Sequence, residues 1–302
     1  MTLSASSDSQ EAPKPEVSVY FDKATSTFSY LVKDPISSAC AIIDSVLNFE
    51  SDSGDVSYTG ADQIIASINE QGLKLELLIE THVHADHISA APYIQAKLGG
   101  RISIGANITL VQNTFGAIFN AGEDFKRDGS QFDLLLNDGD TYQIGHLTAT
   151  ALHTPGHTPA CMTHVIGDAV FVGDTLFMPD AGTARADFPG GDARILYQSI
   201  KRILKLPAHY RIFMCHDYCP GGRALEYETT VADELAHNIH VNATMSENAF
   251  VELRETRDKH LAVPHLILPA LQVNMCAGHF PEPEANGRTY LKLPINIFKP
   301  TT

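Results

Sequence analysis

The sequence contains no tryptophan, an absence that by itself excludes nothing. Basic residues are scarce. Over 302 residues, 21 Lys and Arg face 36 Asp and Glu, a formal net charge of −15. No basic run offsets that charge, so nucleic acid is not an expected partner. No apolar stretch reaches the ~18 residues of a membrane-spanning helix, and no membrane insertion is expected. The five cysteines, Cys40, Cys161, Cys215, Cys219 and Cys276, are odd in number and form no CxxC pair. That argues against a disulfide framework and fits a reducing, cytoplasmic compartment. The serine-rich start, Met1–Glu16, has neither an apolar core nor an arginine, so it reads as a disordered lead-in and not as a leader peptide. A hydrophobic fraction of 44% with 19% charged residues suits one globular domain over residues 17–302.

The pattern of the remaining chain is mixed α/β. Val17–Phe21, Ser26–Val32 and Ala39–Ile43 read as an antiparallel meander, and Leu75–Ile79 as the next strand. Helical spacing covers Ser57–Glu70, Asp86–Leu98 and Ile108–Ala121, with a short strand at Arg101–Ile104. A second half repeats the logic. Asp138-Gly139 is a hairpin signal between strands Phe132–Leu136 and Thr141–Ile144. Strands at Leu147–Leu152, Cys161–Ile166, Ala169–Val172 and Arg211–Cys215 follow. Helices are expected at Arg194–Leu206, Tyr227–Asn238 and Glu247–His260, then an extended, proline-rich tail from Pro264. Two β-then-α halves suggest two sheets packed face to face with helices outside.

Fourteen histidines are present, and their spacing carries the chemistry. Thr81-His82-Val83-His84-Ala85-Asp86-His87 begins where a strand ends. In an extended turn His82 and His84 point the same way, while Asp86 and His87 fall at the expected helix start. Any single histidine is most simply a packing or surface residue, but this cluster reads as a metal site for one ion or two close ones. Three more ligand-type residues follow apolar strands: His157 in Thr154-Pro-Gly-His-Thr-Pro159, Asp174 after Phe171-Val-Gly173, and His216 after Phe213-Met-Cys215. Strand ends at one sheet edge converge in space. His153 is the histidine best placed to support the site, with His146 and His164 structural. Asp217 has two equal readings, orienting His216 or being solvated. Cys161 reads as a buried, inert thiol.

His82-Val-His84-Ala-Asp86-His87, Gly156-His157, Gly173-Asp174 and Cys215-His216 resemble the metallo-β-lactamase superfamily from Val17 to Tyr218. The resemblance implies a four-layer αββα sandwich. It also implies one metal position at His82, His84 and His157, a second at Asp86, His87 and His216, and Asp174 between them. Thr154–Cys161, Gly182–Gly191 with its Arg185-Ala-Asp187-Phe188 run, and Gln272–Gly278 are similar to the persulfide dioxygenase (sulfur dioxygenase) subfamily, a relative of glyoxalase II. That subfamily implies oxidation of glutathione persulfide by O₂ to sulfite and glutathione at one Fe(II) per chain, held by His82, His157 and Asp174. Such a 2-His-1-carboxylate face leaves open positions for O₂ chemistry. Asp86, His87 and His216 would then serve catalysis, and with His84 would orient rings or relay protons.

An acidic protein needs a local cation for a thiol carrier with two carboxylates. Arg185 is the first candidate and Arg223 the second, with an internal Arg185–Asp187 pair as the equal alternative for the former. Tyr218 could hydrogen-bond the substrate. The competing function is a glyoxalase II-like thioester hydrolase with two metals, zinc among them. A third is a non-catalytic metal-binding module. A homodimer is expected by family analogy alone.

Overall fold

Period-two alternation decides where each strand side chain goes. In a computed structural model that describes residues 13–297, the inward set of the first half includes Tyr30, Val32, Ala41, Ile43, Leu77 and Ile79. The intervening Leu31, Ile42 and Leu78 face the other way, into a separate core. Strands buried on both faces need cover on both faces, and the helices provide it.

In chain order the first half contains β1 (Glu16–Asp22), β2 (Thr27–Lys33), β3 (Ala39–Ile43), β4 (Val46–Glu50), β5 (Asp55–Ser57), α1 (Thr59–Glu70) and β6 (Lys74–Ile79). It continues with β7 (Ile88–Ser89), α2 (Ala91–Leu98), β8 (Arg101–Gly105), α3 (Ile108–Ile118) and β9 (Leu134–Leu136). The second half has β10 (Thr141–Ile144), β11 (Leu147–His153), β12 (Met162–Ile166), β13 (Ala169–Phe171), α4 (Ala193–Ile203), β14 (Arg211–Phe213) and β15 (Glu228–Thr230). Helices α5 (Val231–His237), α6 (Glu247–Asp258) and α7 (Ile267–Asn274) follow.

The strands form two six-stranded sheets, β1-β2-β3-β6-β8-β9 and β10-β11-β12-β13-β14-β15, plus a small β5-β4-β7 sheet. The large sheets meet through Phe28, Tyr30 and Ile43 on one side and Leu147, Phe171 and Phe213 on the other. Outside the first sheet lies a core shared with α1, α2, α3 and α7. Outside the second, Leu196, Ile200 and Ile203 of α4 meet Val170, Ile212 and Phe250. The result is the expected four-layer αββα sandwich.

Several elements differ from the sequence reading. Residues 1–12 of the expected lead-in lie outside the described residues, and Glu16 already belongs to β1. Asp138-Gly139 does not close a hairpin: β9 pairs with β8 while β10 pairs with β11, so this turn carries the chain from one sheet to the other. The helix expected at Asp86 starts only at Ala91, with Pro92 in its first turn, and Ile88–Ser89 pairs with β4 instead. Proline suits a first helical turn, where its missing N–H has no partner to lose. The helix expected from Tyr227 begins at Val231, where the Thr230 side chain accepts from Asp233 N; Glu228–Thr230 is a strand. The tail expected to be extended from Pro264 contains α7.

Candidate metal centre

The ligand-type residues leave strands that run in one sense. β3 and β6 are parallel neighbours, as are β13 and β14. β11 and β13 are both antiparallel to β12, so they share a direction. The segments after β6, β11, β13 and β14 bring His82, His84, Asp86, His87, His157, Asp174 and His216 to one edge between the sheets. All of these except Asp86 are buried.

Two glycines make the approach possible. Gly156 has φ +137°, and a Cβ there would lie 2.4 Å from Leu196 N. Gly173 has φ +51°, and a Cβ there would lie 2.6 Å from Thr81 Oγ1. Each immediately precedes a ligand-type residue, so bare backbone lets His157 and Asp174 turn inward.

Ligand atoms of His82, His157 and Asp174 lie within 4.8 Å of one another, and so do those of His84, Asp86 and His87. Asp174 stands between the groups, with Oδ2 3.7 Å from His157 Nε2 and 3.9 Å from His82 Nε2. Its Oδ1 is 3.2 Å from His216 Nε2, which is 3.0 Å from Asp86 Oδ2.

Each imidazole is held through one nitrogen and presents the other. His157 Nδ1 donates to Arg185 O at 2.9 Å. His84 Nε2 meets Asp44 Oδ1 at 2.9 Å. His82 Nδ1 is 3.0 Å from Thr81 Oγ1, and His216 Nδ1 is 3.2 Å from Ser26 O. Among the described residues, His82 Nε2, His84 Nδ1 and His87 Nε2 are buried without a hydrogen-bond partner, and His216 Nε2 faces only the Asp86 and Asp174 carboxylates. Buried polar atoms are rarely left so. Three such nitrogens in adjoining ligand groups beside the Asp86 and Asp174 carboxylates fit a bound cation, with nitrogen and carboxylate donors that suit iron or zinc.

Electrostatics agree. Burial, with the neighbouring His84 charge, pushes His82 well below its ordinary value, and burial pushes His87 down to about 4, so both are neutral, ligand-competent rings. Burial opposes charge on His84 and His216 too. Asp44 nevertheless raises His84 to about 9, and Asp86 with Asp174 raises His216 to about 10.

The surrounding residues sort themselves. Asp44 has φ +51°, a strained conformation for a residue with a Cβ, and accepts from Thr81 N, Thr81 Oγ1 and His84. Asn274 on α7 donates to His84 O and His87 O and accepts from Ser89 N, tying the histidine loop down. Neither was singled out as a site residue from sequence; a polar residue just past β3 and an asparagine amid the apolar run of α7 were the available signals. His153 Nε2 donates to Pro159 O at 2.9 Å, bracing the His157 loop. Asp217 accepts from Arg223 and from Glu226 N, not from His216.

A cleft of about 730 Å³ opens over Asp86, His157 and Asp174, with Phe177, Phe188 and Tyr218 at its walls. Arg185 lines it, but its guanidinium grips Asp187 at 2.6 and 2.8 Å and Ala262 O at 2.6 Å. Arg223 is outside the lining, bound to Asp180 and Asp217. Arg257, missed from sequence, is exposed on the cleft and has no ionic partner among the described residues.

Two stacked sheets under helices, with a histidine–carboxylate pocket at their shared edge, define a metal-binding αββα protein. The Metallo-beta-lactamase superfamily model matches residues 23–216, and the chain belongs to that superfamily. It is 55% identical, over 92% of its length and 98% of the relative's, to a probable metallo-hydrolase of Burkholderia pseudomallei. It is 42% identical to Glyoxylase B2 of Dictyostelium discoideum, over 95% and 99% of the two chains. It is 31% identical to the mitochondrial persulfide dioxygenase ETHE1 of Homo sapiens, over 85% and 87%. Its fold is similar to the crystal structure of ETHE1 from Myxococcus xanthus, with a TM-score of 0.70 and 29% identity over 87% of this chain and 100% of that one. No helix among the described residues is long and apolar enough to cross a membrane.

Proposed function

We propose that the protein is a persulfide dioxygenase that uses one Fe(II), held by His82, His157 and Asp174, to oxidise glutathione persulfide. The observation that carries this reading is the two-histidine, one-carboxylate grouping, with His157 and Asp174 at the floor of the cleft. The balanced reaction is persulfide plus O₂ plus water giving glutathione, sulfite and two protons; the outer sulfur gives up the four electrons that reduce O₂. The ion, when bound, supplies a centre that brings persulfide and O₂ together. The chain's own residues do the rest. Phe177, Phe188 and Tyr218 form an apolar neck that limits water around the reacting sulfur. Arg257 offers an unpaired guanidinium for a carrier carboxylate. Asp86, 3.0 Å from His216 Nε2, offers a carboxylate oxygen beside the cleft for a proton released in the reaction.

The test is O₂ uptake by the Fe(II)-loaded protein with glutathione persulfide, expected to yield one sulfite per O₂ at one iron per chain. A hydrolase reading has its own support: His84 Nδ1, Asp86 Oδ2, His87 Nε2 and His216 Nε2 are a donor set for a second ion. Two metals per chain with thioester hydrolysis and no O₂ uptake would establish it instead. A charge-assisted hydrogen bond contributes about 1.5–3 kcal/mol, so Arg257→Met should raise KM for the glutathione substrate roughly 10–100-fold with kcat nearly unchanged. An unchanged KM removes Arg257 from substrate binding.

A further inference from the structure

The loop 182–188 provides the acceptor that orients His157. A carbonyl can only accept, so the 2.9 Å contact places the proton on His157 Nδ1 and leaves Nε2 free toward Asp174. The direction of that ring therefore depends on what fixes the Arg185 carbonyl.

The fixing groups come from the C-terminal segment. Asn238 Nδ2 donates to Gly182 O at 3.0 Å, and His240 Nδ1 accepts from Thr183 N at 3.0 Å. Gly182 is required there, since a Cβ would lie 2.1 Å from the His240 ring. Two α6 residues one turn apart hold the middle of the loop. Arg254 donates to Thr183 O at 2.8 Å, and Asp258 Oδ2 accepts from Ala186 N at 2.8 Å. Their guanidinium and carboxylate also bond each other, and both residues are buried, at 1% and 3% exposure. Isolating such a pair from water is costly unless further hydrogen bonds offset it, and here those bonds go to the Thr183–Ala184 peptide and to the Arg185–Ala186 peptide, whose carbonyl is the one that accepts from His157.

We propose that Arg254 and Asp258 are a positioning pair for the metal centre: by clamping Thr183 O and Ala186 N they fix the Arg185 carbonyl, and through it the His157 ring. The pair touches neither ion nor reacting atoms. It rests on His157 being a ligand, so the experiment separates the two claims.

Apo protein is titrated with Co(II) against a competing chelator, and the visible absorbance of bound Co(II) reports ligand geometry. Residues that orient metal-bound histidines typically change affinity 10–100-fold. Asp258→Ala and the milder Arg254→Lys, whose ammonium lacks the planar fork needed to reach both partners, should each bind Co(II) about 10–100-fold more weakly, with an altered absorbance band. Ile64→Ala, a cavity variant in α1, is the stability control and should bind within about twofold of the parent. Should Asp258→Ala not fold, Arg254→Lys decides alone. Unchanged affinity and spectrum in the α6 variants, or an equal loss in Ile64→Ala, overturns the proposal. His157→Ala must itself lose affinity; if it does not, the ligand assignment is wrong and the positioning claim falls with it.

Discussion

Gly156→Ala tests the loop geometry behind the metal centre. Gly156 sits at φ +137°, and the added methyl would lie 2.3 Å from Leu196 Cα and 2.4 Å from Leu196 N. The conformational cost for a residue with a Cβ is about 1–2 kcal/mol. Relieving the overlap requires a shift of about 1 Å in either the loop or the first turn of α4, an overpacking cost of about 1–3 kcal/mol. Together these predict a loss of about 2–5 kcal/mol, or a Tm lower by roughly 4–20 °C at about 2–4 °C per kcal/mol. Gly139→Ala is the matched control, with φ +81° and nothing within 4 Å of the added atom; it should bear only the conformational cost of about 1–2 kcal/mol. Denaturant melts of both variants and Co(II) titration of each give the comparison. Because His157 is the next residue, Gly156→Ala should also weaken metal binding, and Gly139→Ala should not. If the two variants melt together and bind metal alike, the close approach of this loop to α4 does not govern the site.

Two further outcomes follow from buried carboxyls. Glu234 is buried, and burial raises it to about 8 even though Asn238 donates to it. Its folded value exceeds the unfolded one of 4.5, so its contribution to stability is full below about 4.5 and is lost as pH rises to about 8, at up to about 1.4 kcal/mol per pH unit. Glu234→Gln should flatten that slope in melts taken across the window, and an unchanged slope would remove Glu234 as its source. Asp34, fully buried, accepts from Ser37 Oγ, Ile36 N and His146 N. Asp34→Ala leaves those donors without a partner and should cost about 2–4 kcal/mol in a denaturant titration; a loss under 1 kcal/mol would mean that water or a rearranged Ser37 takes over.

The sequence was most informative where periodicity and punctuation agree. The β1–β2–β3 meander, the two sheets and α4 follow from alternation and helical spacing that no tertiary contact overrides. It was least informative where a local signal has two structural outcomes. Asp138-Gly139 has the chemistry of a hairpin turn, but β9 finds β8 as a partner and β10 finds β11, a choice that depends on sheet pairing across distant segments. Pro264 suggested an extended tail, yet Ile267–Asn274 is helical because its apolar residues complete the core over the first sheet. At the site, the ligand-type residues are marked by type and by their place after apolar strands. The residues that orient them are not, because Asp44, Asn274, Arg254 and Asp258 act through backbone and ring atoms that only the fold brings near.

The contacts of α6 and α7 also bear on synthesis. His157 depends on residues as far along as Asp258 and Ala262, and the histidine loop on Asn274. A chain emerging from the ribosome will therefore have exposed every ligand-type residue long before it can orient them. Metal capture in the final geometry therefore waits until the segment through α7 has been synthesised and has docked.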